Sequence, residues 1–294
     1  MPLNAEDIER ALERYHREID RYEKVALFVA DVCRSLVRDN AIRATVQFRV
    51  KDPERLRGKL QRLASLTSID NVFSSIKDFA GVRVATYEES DRERVVSELQ
   101  ARFVGSGGGA IEVEVRDYPF PSFYRATHCQ VVLTEDDLVG RFENLSATSC
   151  EVQVCSMLAH VWNELEHDLS YKPITGTLSN EELAALVNLG HLVRSGDGLI
   201  HGLLGYTDAR LQQTQGSFAD QWDFVARTRN LLPESTEFGT HSRQLYEELM
   251  ALGIDSPSAI EEQLLAGYRT KRPYVAAMEL ITAIVNTWRP LETM

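Results

Sequence analysis

A chain of 294 residues, 44% hydrophobic and 26% charged, has the composition of a globular protein long enough to bury a full core. Its formal charge of −12 argues against a general nucleic-acid coat but leaves room for a local basic patch that grips phosphates. No charged-then-apolar leader opens it and no apolar run is long enough for a membrane span. Cys33, Cys129, Cys150 and Cys155 show no C-x-x-C spacing, so a cytoplasmic protein with reduced thiols is expected.

Residues 5–38 read as a helix, with Ile8, Leu12, Tyr15, Ile19, Tyr22, Val25 and Leu27 recurring at three- and four-residue steps. Residues 44–50 read as a strand ending near Arg49, and Asp52-Pro53-Glu54 opens a second helix by cap and first-turn proline signals. That helix carries Arg55, Arg57, Lys59 and Arg62. Residues 79–87 form a predicted strand and 89–103 a helix with Val95, Val96, Leu99 and Phe103 inward. The run Gly105-Ser-Gly-Gly-Gly109 matches neither phosphate-loop fingerprint and reads as a connection. Strands follow at 110–117, 124–133 and 149–155.

The last of these strands runs straight into a helix. Glu151, Gln153 and Cys155 alternate with Val152 and Val154. Then Met157, Leu158, Val161, Trp162, Leu165 and Leu169 form an apolar stripe, with His160, Glu164 and His167 on another side. Ser156 is the expected N-cap. A carboxylate such as Glu151 on a strand is costly to bury without water, a cation or a donor. The element order predicts an α/β (α+β) fold, a mixed β-sheet flanked by helices. Past Pro173 and the turn Thr175-Gly-Thr the pattern is helical, with breaks near 233–239 and 253–257. The expected organisation is therefore a body at 1–175, including the helix at 5–38, and a helical region at 176–294.

Several chemistries fall away. There is no H-E-x-x-H, paired C-x-x-C or G-x-S-x-G. His160, Glu164 and His167 share a helical face, but without a closed ligand set they read as a hydrated polar face or as substrate contacts. His167-Asp168 stands without the scattered partners of a metal-dependent HD phosphohydrolase, which argues against hydrolysis. What remains is Asp78 before a strand, the cations Arg49, Lys51, Arg55 and Lys59, the pair Glu151 and Gln153, and Tyr124 with His128. Tyr124 and His128 share a face about 13 Å apart at ~3.3 Å per residue, expected to be too far to hold one small group together. Two carboxylates that can hold magnesium, cations for phosphates and planes for a base together describe a nucleotide site.

The runs Asp78-Phe-Ala-Gly-Val-Arg83, Tyr124-Arg-Ala-Thr-His128 and Glu151-Val-Gln-Val, with Trp162-x-x-x-Glu166-His167 and Tyr171-Lys172, resemble the synthetase domain of RelA/SpoT-type alarmone synthetases. The resemblance covers about residues 40–173, and without a hydrolase domain it resembles the small, single-activity members. It implies a nucleotidyltransferase-like sheet and transfer of pyrophosphate from ATP to the 3′-hydroxyl of a purine nucleotide, GDP or GTP or an adenine nucleotide. By the same resemblance Asp78 and Glu151 are catalytic and hold Mg2+, with Glu151 placed to take the hydroxyl proton. Arg49, Lys51, Arg55, Lys59 and Arg83 would bind ATP, the two arginines Arg49 and Arg83 around its adenine. Tyr124, Arg125, His128, Gln153 and His160 would face the acceptor, Tyr124 by stacking on its base.

Five positions depart from that pattern: Cys155-Ser156 stands for Arg-Thr, Phe123 for Gly, Arg55 for Ser, and His160 for Asn. They leave both carboxylates intact and bear on the acceptor. Relatives of the toxic type make adenosine alarmones or modify the 3′ end of tRNA, which makes tRNA the alternative acceptor. A nucleotide-sensing protein without catalysis is the alternative from another class. The helical region reads as cover for the sheet or as a homo-oligomer interface, and the analogy with such toxins adds a regulatory or antitoxin-binding surface.

Overall fold

The computed structural model describes residues 3–63, 65–171, 177–228 and 242–268. In chain order its main elements are α1 (Ala5–Asp39), β1 (Ala44–Val50), α2 (Pro53–Arg62), α3 (Ile69–Ser75), β2 (Ala80–Thr86) and α4 (Asp91–Arg102). Then come β3 (Glu112–Asp117), β4 (Arg125–Val131), two 3-10 turns, β5 (Cys150–Ser156) and α5 (Met157–Tyr171). The helices α6 (Asn180–Gln212), α7 (Gln221–Thr228), α8 (Ser242–Ala251) and α9 (Pro257–Tyr268) follow. The expected mixed sheet flanked by helices is what the chain forms. The short α3, capped by Ser68 onto the Asn71 N–H at 3.1 Å, was not expected, since its seven residues are too few for a periodic signal.

The sheet order is β1-β2-β5-β4-β3, with β2 and β5 parallel and the other pairs antiparallel. Pleating divides it into two unlike faces. One carries Val82, Val84, Val152, Val154, Cys129 and Val131, all buried. The register puts Gln153 beside both Arg83 and His128, and Glu151 beside Gly81 and Gln130, so the other face is polar. Along α1, Tyr15 stacks on Phe79 with ring centroids 5.4 Å apart, and Arg21 donates to Thr148 Oγ1 at 2.6 Å. The glycine run is a turn, closed by Gly105 N–H to Gly109 O at 2.7 Å.

The chain divides into two compact units. The first comprises residues 1–35 and 44–198, so it continues past residue 175. The early part of α6 explains this: the Trp162 indole N–H donates to the Leu186 carbonyl at 3.1 Å, and Val193 packs on the Ala126, Cys155 and Ala159 cluster. The second unit comprises residues 36–43 and the chain from Leu199. Its core is Phe218, Phe224, Leu245, Leu249, Ile254 and Ile260. The break expected at 253–257 lies between α8 and α9, where Gly253 has φ +73°. The break at 233–239 lies outside the described residues.

One expectation about α5 is corrected. Its buried side is Ala159, Trp162 and Asn163, while Val161, Leu165 and Leu169 of the predicted apolar stripe are exposed. Ala159 packs on Ala126 and Cys155, Trp162 is bonded to the Leu186 carbonyl, and in this rotation Glu164 meets Arg83 on β2 at 2.5 Å. Ser156 caps it as expected, its hydroxyl accepting from Ala159 N–H at 3.0 Å.

Candidate active site

The polar face of the sheet floors an open cleft of about 1390 Å³. Its first wall starts where β1 ends. Lys51 N–H donates to the Phe79 carbonyl at 2.9 Å, which holds the β1 end against the residue that follows Asp78. Asp52 then caps α2, accepting from Arg55 N–H at 2.9 Å, and Pro53 occupies the first turn. With the helix phase set in this way, Lys59 points at Asp78 and bonds Oδ1 at 3.0 Å, while Lys51 bonds Oδ2. Burial pushes the Asp78 carboxyl up, but the two ammonium groups outweigh it and hold the acid below its usual range. Burial pushes Lys51 down, partly offset by Asp78.

The second centre is Glu151 on the central strand. Gln153 Nε2 donates to its Oε2 at 2.7 Å, and His128 Nδ1 lies 3.1 Å from its Oε1. Burial raises this acid too, and the hydrogen bonds from His128 and Gln153 more than reverse it, leaving the carboxyl below its usual range. Tyr124 completes the chain of contacts, its hydroxyl 2.8 Å from His128 Nε2. With the proton on Nδ1, His128 donates to Glu151 and accepts from Tyr124. The expectation that Tyr124 and His128 stand too far apart to act together is corrected. Their rings lie 6.1 Å apart at 28°, because long side chains lean along the strand and close a gap that the backbone alone would leave. Burial lifts the Tyr124 phenol to about 12, so it stays a neutral donor.

Arg49 and Arg83 lie on neighbouring strands of the same face. Burial, and then the Arg83 charge, push the Arg49 guanidinium down. Arg83 bonds Glu164 at 2.5 Å and reaches Gln153 Oε1 at 3.4 Å. Arg55 faces Asp168 of α5 at 3.7 Å and lines the cleft. His160, half-buried on α5 with its Nδ1 unpartnered, is pushed down by burial and by Arg83; it sits beside Arg83 and does not line the main cleft.

Arg125 is not brought to this group. It lies on the opposite pleat of β4, paired with Asp197 and 3.6 Å from Glu89, so its assignment to the acceptor is corrected. An odd–even step from Tyr124 places it there. Lys172 lies outside the described residues. Sequence reasoning missed the contribution of β3. The β3–β4 register sets Glu114 opposite His128 and Arg116 opposite Ala126, and Glu114, Arg116 and Tyr118 line the cleft. Alternation along 112–118 was the signal available, but only the pairing partner says which face of β3 looks into the cleft.

Chemically, the cleft offers two ionised carboxylates of hard oxygen and a bank of cations on one side. An aromatic ring with hydrogen-bonding partners stands on the other. Among the described residues no three His, Cys, Asp or Glu side chains form a closed metal cluster. No described helix is long and apolar enough to cross a membrane.

Comparison with known proteins matches residues 48–175 to the model described as "Region found in RelA / SpoT proteins". A GTP pyrophosphokinase of Bacillus subtilis, YwaC, is 29% identical over 178 residues, 57% of this chain and 80% of that protein. The crystal structure of small alarmone synthetase 1 from Bacillus subtilis matches 67% of this chain and 99% of its own at TM-score 0.54 and 20% identity. The same protein bound to its product pppGpp matches 66% of this chain and 98% of its own at TM-score 0.52 and 20% identity. These structural likenesses speak to the fold.

Proposed function

We propose, from the groups brought together by residues 48–175, which match the model of the region found in RelA/SpoT proteins, that the chain is an ATP-dependent pyrophosphokinase. It moves the β,γ-diphosphate of ATP onto the 3′-hydroxyl of a purine nucleotide, a guanine nucleotide first, as the name of the Bacillus relative suggests. The observation that carries this reading is the division of one polar face into two acidic centres. Asp78 is held between Lys51 and Lys59, and Glu151 between Gln153 and the His128–Tyr124 pair.

Phosphoryl chemistry asks for in-line positioning and neutralised charge more than for covalent help. On the donor side Lys51, Lys59 and Arg55 supply cations for the phosphates, and Arg49 and Arg83 supply guanidinium planes for the adenine. On the acceptor side Tyr124 offers a ring for the base, with His128 and Gln153 around it. Glu151 is the group to take the 3′-hydroxyl proton, and the bonds from Gln153 and His128 fix where its oxygens point. The two carboxylates fit Mg2+, being hard donors kept ionised at neutral pH, and this ion is commonly held by one or two carboxylates plus substrate phosphates. Held by Asp78 and Glu151, it would neutralise charge on the transferring group.

The test is AMP release from ATP by purified protein with GDP, GTP, ADP or ATP as acceptor and with labelled transfer onto tRNA in parallel. AMP release that depends on a purine nucleotide is expected. Nucleotide binding without AMP release would make the protein a sensor, and label on tRNA alone would replace the acceptor.

A further inference from the structure

The ring offered to the acceptor base sits at the end of the β3–β4 hairpin, and α6 holds that hairpin from behind. Arg194 on α6 donates to Asp117 Oδ1 at 2.7 Å and to the Tyr118 carbonyl at 2.9 Å. Tyr118 N–H in turn donates to the Tyr124 carbonyl at 2.9 Å, so the guanidinium grips the residue paired with Tyr124. The second hold is steric. Phe123, next to Tyr124, has φ +55°, a left-handed conformation that a phenylalanine adopts only when its surroundings impose it. Its buried ring fills the notch left by Gly190: a Cβ at 190 would lie 2.5 Å from Phe123 Cγ and Cδ2. The His191 ring meets the Phe123 ring edge-on at 4.7 Å, and Trp162 lies 6.2 Å away on a third side. Glycine is a poor residue for the middle of a helix, and the interlocking ring explains its presence at 190.

We propose that Gly190 and Arg194 of α6 are positioning residues of the acceptor site, which fix where the Tyr124 ring stands by locking Phe123 and Tyr118. This rests on the reading of Tyr124 as the acceptor-base platform. It makes α6, beyond the family-matched residues 48–175, part of the machinery that selects the acceptor. The donor groups Arg49, Lys51 and Lys59 lie on β1 and α2 and make none of these contacts.

Gly190→Ala is expected to raise the acceptor KM on the order of tenfold, within the range set by losing one base-stacking contact, and to leave the ATP KM unchanged. Gly198→Ala, whose added methyl meets nothing within 4 Å, serves as the same-helix control and is expected to change neither. In a Phe123→Gly background, Gly190→Ala is expected to add nothing, because the ring it would strike is gone. Arg194→Ala, at a half-exposed position, is expected to raise the acceptor KM alone, and decides the matter if Gly190→Ala does not fold. An unchanged acceptor KM in Gly190→Ala or in Arg194→Ala, or the same added loss in the Phe123→Gly background, would overturn the proposal. GDP binding by calorimetry is read beside turnover. Wild-type protein that binds GDP without transfer would refute the pyrophosphokinase and leave the comparison of variants intact on binding. Wild-type protein that binds no purine nucleotide would overturn both.

Discussion

Replacing Glu151 by glutamine separates chemistry from architecture at the centre of the sheet. The carboxylate accepts from Gln153 at 2.7 Å on one oxygen and faces His128 at 3.1 Å on the other. A glutamine keeps one acceptor oxygen, which serves the Gln153 amide, and presents an NH2 to His128. His128 can answer by moving its proton to Nε2, so that Nδ1 accepts from residue 151 and Nε2 donates to the Tyr124 hydroxyl. Every polar group keeps a partner, and the stability lost is that of two charge-assisted bonds made neutral, about 1–3 kcal/mol. The proposed proton acceptor, however, is gone, which is expected to cost roughly 10²- to 10⁴-fold in turnover. At about 1.36 kcal/mol per tenfold, the barrier rises by about 2.7–5.4 kcal/mol. AMP release in steady state and thermal unfolding of the same preparation measure the two quantities. Turnover within about threefold of wild type in a folded Glu151→Gln protein would refute the assignment of Glu151 as the base.

Three further outcomes follow from the same geometry. Tyr124→Ala should cost about 1–3 kcal/mol of acceptor binding, and Tyr124→Phe about 0.5–1.5 kcal/mol because only the hydroxyl bond to His128 is lost; equal losses by calorimetry would assign the effect to the hydroxyl and not the ring. Lys59→Ala should raise the ATP KM and spare the acceptor KM, since Lys59 faces Asp78 on the donor side; a change confined to the acceptor would reverse the division of the cleft. Asp137 takes both ends of the Arg102 guanidinium, at 2.5 and 3.0 Å. Burial raises its acid, but the bonds from Arg102 and Thr134 outweigh that and hold it below its ordinary range. Its stabilisation is therefore present above the unfolded pKa and lost as pH falls through the lower folded one. Asp137→Asn should cost about 1.5–3 kcal/mol at neutral pH and flatten the acid side of the stability profile measured by urea unfolding; an unaltered acid slope would contradict it.

What the sequence determined on its own is the set of local choices. Asp52-Pro53 marked the start of α2 and Ser156 that of α5, because caps and first-turn prolines act within four residues. The alternation around Glu151 identified a strand with one apolar and one polar face, and a charge on that strand pointed to the centre of the site. Motif order brought Asp78, the cations and Tyr124 into one reading, since their types and spacing are visible without a fold. The rest was decided by contacts between residues distant in the chain. Which side of α5 is buried depended on partners distant in the chain, Ala126 beneath Ala159 and the Leu186 carbonyl on Trp162. The register of β4 against β3 and β5 put Tyr118 and Arg116 into the cleft and left Arg125 on the other face. The reach from Tyr124 to His128 depended on how side chains lean, which spacing along a strand does not record. The lock between Phe123 and Gly190 was beyond any sequence reading: a glycine inside a helix names an absence of side chain, and only tertiary packing says which ring fills it.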